Sequence, residues 1–464
     1  MAASPLLPTL EETAARGEIA VLGAGRSGAA VARLLHAQGA RVYVSDAGNS
    51  AALQGTAQAL RSEGIAVDVG SHDLARIARS GVVVVSPGIP PQAPPLVAAR
   101  EAGVEVLSEI EIALRAMPAI PYVAVTGTNG KTTVTALIAH LFRAVGVEAT
   151  EGGNIGTPLS ELARAAKQPA WLSIELSSFQ LHDTPSVAPA VAVLTNLAPD
   201  HLDRYASLED YYADKDLLFR NAGPSSLRVV NADDAEVLRR TAEVPGIAKT
   251  FSVAGRAAEA SYDAERRVLL LEGAPLLERD RLPMLGEHNV ANALCAVLAV
   301  WQALPTQRSA AMRAKLAVGL QSFRPPPHRL EIVGERAGVL WVNDSKATNV
   351  GAARVAIAAM ERPTVLLLGG RHKGEPYTEL LSAMQGRVTQ VVAFGEAGGQ
   401  VEADLRGHVP VERLESSFEA VVARARALAR PGDAVLLAPA CSSFDMFANY
   451  EERGAAFRAL ALPQ

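Results

Sequence analysis

The sequence predicts an α/β protein of three domains, each built on a parallel sheet. Three observations carry this. Short apolar runs recur along the chain, each followed by a polar or glycine-rich loop and then a helical pattern. Two of those loops are glycine turns at a strand-to-helix junction, Gly23-Ala-Gly25-Arg-Ser-Gly28 and Gly127-Thr-Asn-Gly130. Proline-flanked stretches, Met117-Pro-Ala-Ile-Pro121 and Phe323-Arg-Pro-Pro-Pro327, separate the repeats. The expected domains are residues 1–112, 113–325 and 326–464, and a chain of 464 residues is long enough for them.

Composition narrows the class. Hydrophobic content of 49% with 20% charged residues is globular. A net charge of −5 gives no global basic signal for nucleic acid. Cys295 and Cys441 are far apart, form no metal-ligand pair and are compatible with a reducing cytoplasm, the expected location. The first seventeen residues lack a basic start and carry Glu11 and Glu12, so no secretory signal is expected. No apolar run reaches the ~18 residues of a membrane span.

In the first domain, the strand Glu18–Leu22 runs into the glycines, an Ala/Leu-rich helix follows to about Gln38, and a second strand from Arg41 ends at Asp46. An acid about twenty residues past the glycines completes a Rossmann-like dinucleotide fingerprint. It serves NAD or any diphosphate held on a helix N-terminus, and no nicotinamide site or proton-transfer pair is evident downstream. Further strands are expected at Ile65–Val69, Val82–Val85 and Val104–Leu107, with a rigid turn at Ser86-Pro-Gly88-Ile-Pro-Pro91.

In the second domain, Val123-Ala-Val-Thr126 is a buried strand ending in the second glycine turn, and Lys131-Thr132-Thr133 opens a helix. Backbone amides and the helix N-terminus cradle phosphates, Lys131 adds a point charge, and the Thr132 hydroxyl is a Mg²⁺ ligand. Two residues separate Gly127 from Gly130, where the general P-loop pattern has four. Strands Trp171–Ile174 and Ala190–Thr195 deliver Glu175 and Asp200-His201 to the same sheet edge. Glu175 beside an ATP site is a Mg²⁺ ligand; His201 is either a ligand or a hydrogen-bonded loop residue. Residues 249–283 read as a small β-rich insertion. Asn289 and Asn292 share a helix face, where amides read an adenine edge or cap a neighbouring loop. Arg329, behind the prolines, is a phosphate clamp or an ordinary surface arginine.

The third domain repeats the α/β pattern, with strands at Val339–Val342, Val365–Leu368, Val391–Phe394 and Ala434–Leu437. The loops after them carry Asp344, Lys346, Thr348, Lys373 and Ser443. Two lysines and two hydroxyls converging at strand ends suit a small dicarboxylate.

These motifs resemble a known family. Thr126-Gly-Thr-Asn-Gly-Lys-Thr132, Glu175, Asp200-His-Leu-Asp-Arg204, His288-Asn-Val-Ala-Asn292 and His328-Arg329 look like the Mur ligases, ATP-dependent amide ligases of peptidoglycan precursor synthesis. Gly152-Gly-Asn-Ile-Gly156, Glu175-Leu-Ser-Ser-Phe-Gln180, Asn343-Asp-Ser-Lys-Ala-Thr-Asn349 and Pro439-Ala-Cys-Ser-Ser-Phe-Asp445 are similar to its D-glutamate-adding branch, and the resemblance spans residues 18–458. It implies an N-terminal Rossmann-like domain, a central P-loop ATPase sheet and a C-terminal Rossmann-like domain. The implied substrates are UDP-N-acetylmuramoyl-L-alanine, D-glutamate and ATP, with an acyl-phosphate intermediate and two Mg²⁺ sites. Gly127, Thr128, Asn129, Gly130, Lys131, Thr132, Thr133, Asn292, Arg329 and Asp344 would hold ATP. Thr132, Glu175, His201 and Lys215, the last carbamylated, would hold metal. Gly25, Arg26, Ser27, Asp46, Gly88, Asn154 and Ser177 would hold the UDP substrate, and Lys346, Thr348, Lys373, Ser443 and Phe444 the D-glutamate. Ala47 and Gly48 depart from the polar or basic residues that would help hold uracil. Tyr450 reads as aromatic lining or an extra hydroxyl near the amino-acid pocket. A monomer is expected, with no nucleic-acid partner and no membrane span.

Overall fold

A computed structural model describes residues 9–117, 119–154, 156–200 and 205–462. The chain forms two compact units, residues 1–279 with 291–321, and residues 280–290 with 322–464. The first unit contains two sheets and the second contains one.

The N-terminal sheet has five parallel strands in the order Ala66–Val69, Val42–Asp46, Ile19–Leu22, Val82–Val85, Glu105–Ser108. The runs Ile-Ala-Val-Leu and Val-Val-Val-Val are buried throughout, as strands covered on both faces must be. Strand order reverses beside Ile19–Leu22, so the crevice at the carboxyl ends opens between the Gly23 turn and the Ser86 turn. Helix Arg26–Ala37 buries Val31, Ala32, Leu34 and Leu35 against the sheet. Its close approach needs Gly28, where a Cβ would stand 1.8 Å from the Gly23 carbonyl oxygen.

The central sheet runs Ala149–Gly153, Trp171–Glu175, Tyr122–Thr126, Val191–Leu194, Leu227–Asn231, Ile247–Ser252, Ala260–Asp263, Val268–Leu271, Ala274–Glu278. The first seven strands are parallel and the last two antiparallel. The small β-rich insertion read at residues 249–283 thus continues the central sheet. Its strands pair onto the otherwise open edge of Ile247–Ser252, satisfying backbone groups that an edge leaves exposed.

Helix Glu109–Ala116 joins the two sheets through a buried polar seam. Glu111 accepts from Arg115 Nε (2.8 Å), the Ser186 amide (3.1 Å) and Ser186 Oγ (2.5 Å). Arg115 Nη1 donates to Thr13 Oγ1 (2.8 Å), and Glu109 Oε1 accepts the Ser160 amide (2.5 Å).

The sheet of the second unit runs Glu331–Arg336, Val339–Asn343, Ala434–Leu437, Thr364–Gly369, Val388–Phe394, Val411–Leu414, with only the first strand antiparallel. Its loops after Asn343, Gly369 and Leu437 leave from carboxyl ends of neighbouring strands. Among the described residues no helix is long and apolar enough to cross a membrane.

Candidate functional site

Strand Tyr122–Thr126 lies inside its sheet, and the chain turns through Gly127–Gly130 into helix Lys131–Ala144. Gly127 (φ 141°) and Gly130 (φ 81°) take conformations that favour glycine. A Cβ on Gly127 would stand 2.1 Å from Thr195 Oγ1, and one on Gly130 2.4 Å from Asn292 Oδ1. The helix has no side-chain cap, and a helix N-terminus of this kind suits an anion. This cradle fits ATP phosphates.

The loop is held from the next strand. The Asn129 amide donates to Asn196 Oδ1 (2.9 Å), while Thr195 Oγ1 (2.7 Å) and Asn196 Nδ2 (3.0 Å) donate to the Asn129 carbonyl. Thr128 Oγ1 donates to the Ala198 carbonyl (3.1 Å). Sequence reasoning missed Thr195 and Asn196 as positioning residues. Their signal was two polar side chains directly after a buried strand.

Two amines meet on one carbonyl. Lys131 Nζ donates to the oxygens of Gly127 (2.9 Å) and Thr128 (2.7 Å), and Lys215 Nζ donates to Gly127 (2.8 Å). Lys215, on helix Leu208–Asp216, is 1% exposed and lies 4.5 Å from the Tyr211 ring centroid. Burial first, then the Lys131 charge, hold its amine well below the usual lysine range, against the opposing pull of Asp200, Asp214 and Glu175. That shift is toward the neutral form, and a neutral amine is a nucleophile.

Glu175 ends the strand beside Tyr122–Thr126 and is buried. Its Oε1 accepts from Asn154 Nδ2 (3.1 Å), and its carbonyl accepts the Asn154 amide (3.0 Å). Thr132 is buried in the first turn of the phosphate-loop helix, with Thr133 half-buried beside it. The Thr132 hydroxyl and Glu175 carboxylate are hard oxygen donors that suit Mg²⁺, whereas Lys215 fits only as an oxygen-bearing carbamate. His201 lies outside the described residues, and among the described residues no three His, Cys, Asp or Glu side chains cluster as a metal site.

In the N-terminal sheet, Gly25 caps helix Arg26–Ala37 without a side chain, and Arg26 and Ser27 form its first turn. Asp46 is turned toward backbone: Oδ2 accepts the Ala24 amide (2.7 Å) and Oδ1 the Gly48 amide (2.7 Å). Gly25 and Arg26 border a cavity of about 770 Å³ shared with Arg33 and Arg164. A second cavity, about 400 Å³, is bordered by Pro87 and Ile89, which flank Gly88, and by Phe179 and Gln180. The Ser177 side chain is engaged as a helix cap, accepting the Gln180 amide (3.3 Å) and donating to Gln180 Oε1 (3.0 Å).

In the second unit, buried Asp344 accepts the Leu330 amide (3.1 Å). Burial pushes its carboxyl up to about 7, partly offset by that amide and by the Arg329 and Lys346 charges. His328 (φ 64°) and Leu330 (φ 43°) flank Arg329 in left-handed conformations that are strained for side-chain-bearing residues. Asp344 thus pins the strained segment that presents Arg329. Lys346 Nζ lies 5.4 Å from the Tyr450 ring centroid, so Tyr450 acts as aromatic lining toward that lysine. Lys373 Nζ donates to Thr348 Oγ1 (3.4 Å). Ser443 is buried, while Phe444 is 61% exposed. The loops are tied by Arg453, also missed from sequence because it sits on the last helix. Its guanidinium donates to Ser345 Oγ (3.0 Å) and to the carbonyls of Ser345 (2.9 Å), Cys441 (3.1 Å) and Ser442 (3.3 Å).

Comparison with known proteins agrees with this layout. Three family models match in order: the Mur ligase MurD-like N-terminal domain over residues 17–108, the Mur ligase middle domain over 125–300, and the Mur ligase glutamate ligase domain over 328–441. The chain is 39% identical to the UDP-N-acetylmuramoylalanine–D-glutamate ligase of Acidobacterium capsulatum, covering 96% of each chain. It is 42% identical to the ligase of that name from Chromobacterium violaceum, covering 96% of this chain and 97% of the relative. Among solved structures, the UDP-N-acetylmuramate-alanine ligase MurC of Thermotoga maritima aligns with a TM-score of 0.58 at 20% identity, over 95% of this chain and 98% of the other. A pseudomurein peptide ligase type C from Methanothermus fervidus aligns at 0.55 and 20%, over 91% and 96%. At such identity these two structures speak to the fold.

Proposed function

Because the chain belongs to the Mur ligase family, we propose that it joins D-glutamate to UDP-N-acetylmuramoyl-L-alanine, converting ATP to ADP and phosphate, in cytoplasmic synthesis of a peptidoglycan precursor. Relatives of that activity, about 40% identical over nearly the whole chain, support the substrates. In the molecule itself, the meeting of Lys131 and Lys215 on the Gly127 carbonyl carries the reading. We take the domains as residues 1–112, 113–325 and 326–464, bounds that enclose the three family segments.

A carboxylate is a poor electrophile, so the L-alanyl carboxylate must first be phosphorylated. Lys131 and the first amides of its helix neutralise charge on the transferring phosphoryl group as the acyl phosphate forms and ADP leaves. The neutral amine of D-glutamate then attacks the acyl carbon; the C–N bond forms, the C–O bond to phosphate breaks, and the amine gives up a proton. Asn292, Arg329 and Asp344 hold ATP with Gly127–Thr133. Lys346, Thr348, Lys373, Ser443 and Phe444 receive D-glutamate. Gly25, Arg26, Ser27, Asp46, Gly88, Asn154 and Ser177 hold the UDP substrate. Thr132, Glu175, His201 and a carbamylated Lys215 would hold two Mg²⁺. Mg²⁺ supplies charge neutralisation and a template for phosphate oxygens. Lys215 reaches its carbamate when the neutral amine attacks CO₂ and loses a proton, exchanging an amine for an oxygen donor.

The test is phosphate release with ATP, Mg²⁺ and UDP-N-acetylmuramoyl-L-alanine on addition of single amino acids. Release is expected with D-glutamate. Release with L-lysine or diaminopimelate, and none with D-glutamate, would reassign the substrate.

A further inference from the structure

The central sheet has a second opening, on the edge opposite the phosphate loop. Strands Val191–Leu194 and Leu227–Asn231 run parallel to Tyr122–Thr126, so their first residues lie at the amino edge. There the stretches around residues 187–192, 218–228 and 244–245 enclose a cavity of about 310 Å³. That exceeds the ~150 Å³ that holds a benzene ring in an apolar core. Its walls are about evenly polar and apolar, with Val187, Leu218, Phe219 and Val244 among the apolar residues.

One charge lines it. Arg228 is 8% exposed; Nη1 donates to the Pro245 carbonyl (3.3 Å), and Nε is buried with no partner among the described residues. None of the described lining residues is Asp or Glu. Burial pushes the guanidinium below its usual range with no carboxylate opposing it. Ser226 Oγ, also at the cavity, accepts the Gly223 amide (2.9 Å) and keeps its own proton to donate. A buried guanidinium lacking a counter-charge is costly, and an anion seated on its N–H edge removes the cost.

We propose that this cavity binds a small organic monocarboxylate with an apolar body. The carboxylate takes the Arg228 guanidinium and the Ser226 hydroxyl, and the hydrocarbon packs on Leu218 and Phe219. A single guanidinium with no second charged residue beside it matches one negative charge; a phosphate dianion would leave charge unpaired.

The test is calorimetric titration of hexanoate and hexanamide into the full chain, compared with Arg228→Met, Lys131→Ala and Lys373→Ala. Hexanoate is expected to bind the wild type and both lysine variants alike. Hexanamide on wild type, and hexanoate on Arg228→Met, should each be at least tenfold weaker, with Arg228→Met keeping wild-type ligase turnover. Equal binding of acid and amide, no binding to wild type, or loss of binding in Lys131→Ala or Lys373→Ala overturns the proposal. Should Arg228→Met not fold, wild-type crystals soaked in 6-bromohexanoate decide: a bromine peak in this cavity supports it, and a peak elsewhere or none overturns it.

Discussion

The two glycine turns of the first unit start alike and are backed differently. Each ends a strand inside a parallel sheet, and each opens a helix with no side-chain cap. Behind the N-terminal turn stands an acid: Asp46 gathers the amides of Ala24 and Gly48. Behind the central turn stand two amines sharing the Gly127 oxygen. A backbone cradle is common to both, so it accounts for holding a phosphate and no more. In the proposed function, the charge behind the cradle separates a turn that would hold a diphosphate from one that would stabilise a transferring phosphoryl group.

Substitutions can break that contrast. Lys131→Ala has the largest expected effect, a loss in turnover on the order of 10³-fold. Binding of the UDP substrate, followed by calorimetry, should stay near wild type; a matching loss there would erase the distinction between the turns. Lys215→Ala comes next, with turnover down on the order of 10²-fold and partly restored by short carboxylates such as acetate or formate, which supply the lost oxygen ligand. Wild-type turnover indifferent to CO₂ removal, with an unmodified Lys215 by mass, refutes the carbamate. Asp46→Asn is milder. An asparagine offers one acceptor oxygen where two amides need one each, so about 1–2 kcal/mol of turn rigidity is lost. Steady-state kinetics should show a higher KM for the UDP substrate, roughly fivefold to thirtyfold, with kcat retained.

What was legible in the sequence follows from how local the physics is. Strands such as Val82–Val85 and Ala434–Leu437 are continuous apolar runs and were read to the residue. The phosphate loop was legible because glycine, lysine and hydroxyl stand adjacent in the chain. Strand Leu227–Asn231 was not, since Arg228 interrupts its apolar run and burial of that arginine depends on distant segments. Thr195, Asn196 and Arg453 were missed for the same reason: their partners lie across the sheet or at the far end of a unit. Residues 249–283 looked like an insertion because their β-rich pattern carries no sign of which edge they extend.

The smallest expected effect on turnover concerns the helix that joins the two turns' domains. Glu109, in its first turn, is buried; Oε1 holds the Ser160 amide, while Oε2 has no partner among the described residues. Burial pushes this carboxyl up to about 7, and the Ser160 hydrogen bonds only partly offset that. In the unfolded chain a glutamate ionises near 4.3. Between those values the folded state holds a proton that the unfolded state has released, so stability falls as pH rises from about 4.5 to 7 and is level above it. Glu109→Gln keeps the oxygen that accepts the Ser160 amide and has no proton to lose. It should therefore raise the apparent melting temperature at pH 8, by the equivalent of up to about 3 kcal/mol, and the advantage should fall to about 1 kcal/mol at pH 5 and vanish below about pH 4. A gain that is the same at both pH values would mean the seam is limited by packing rather than by the buried charge. A loss at pH 8 would mean that the ionised carboxylate is held by groups beyond Ser160, and that the junction between the two turns is electrostatic.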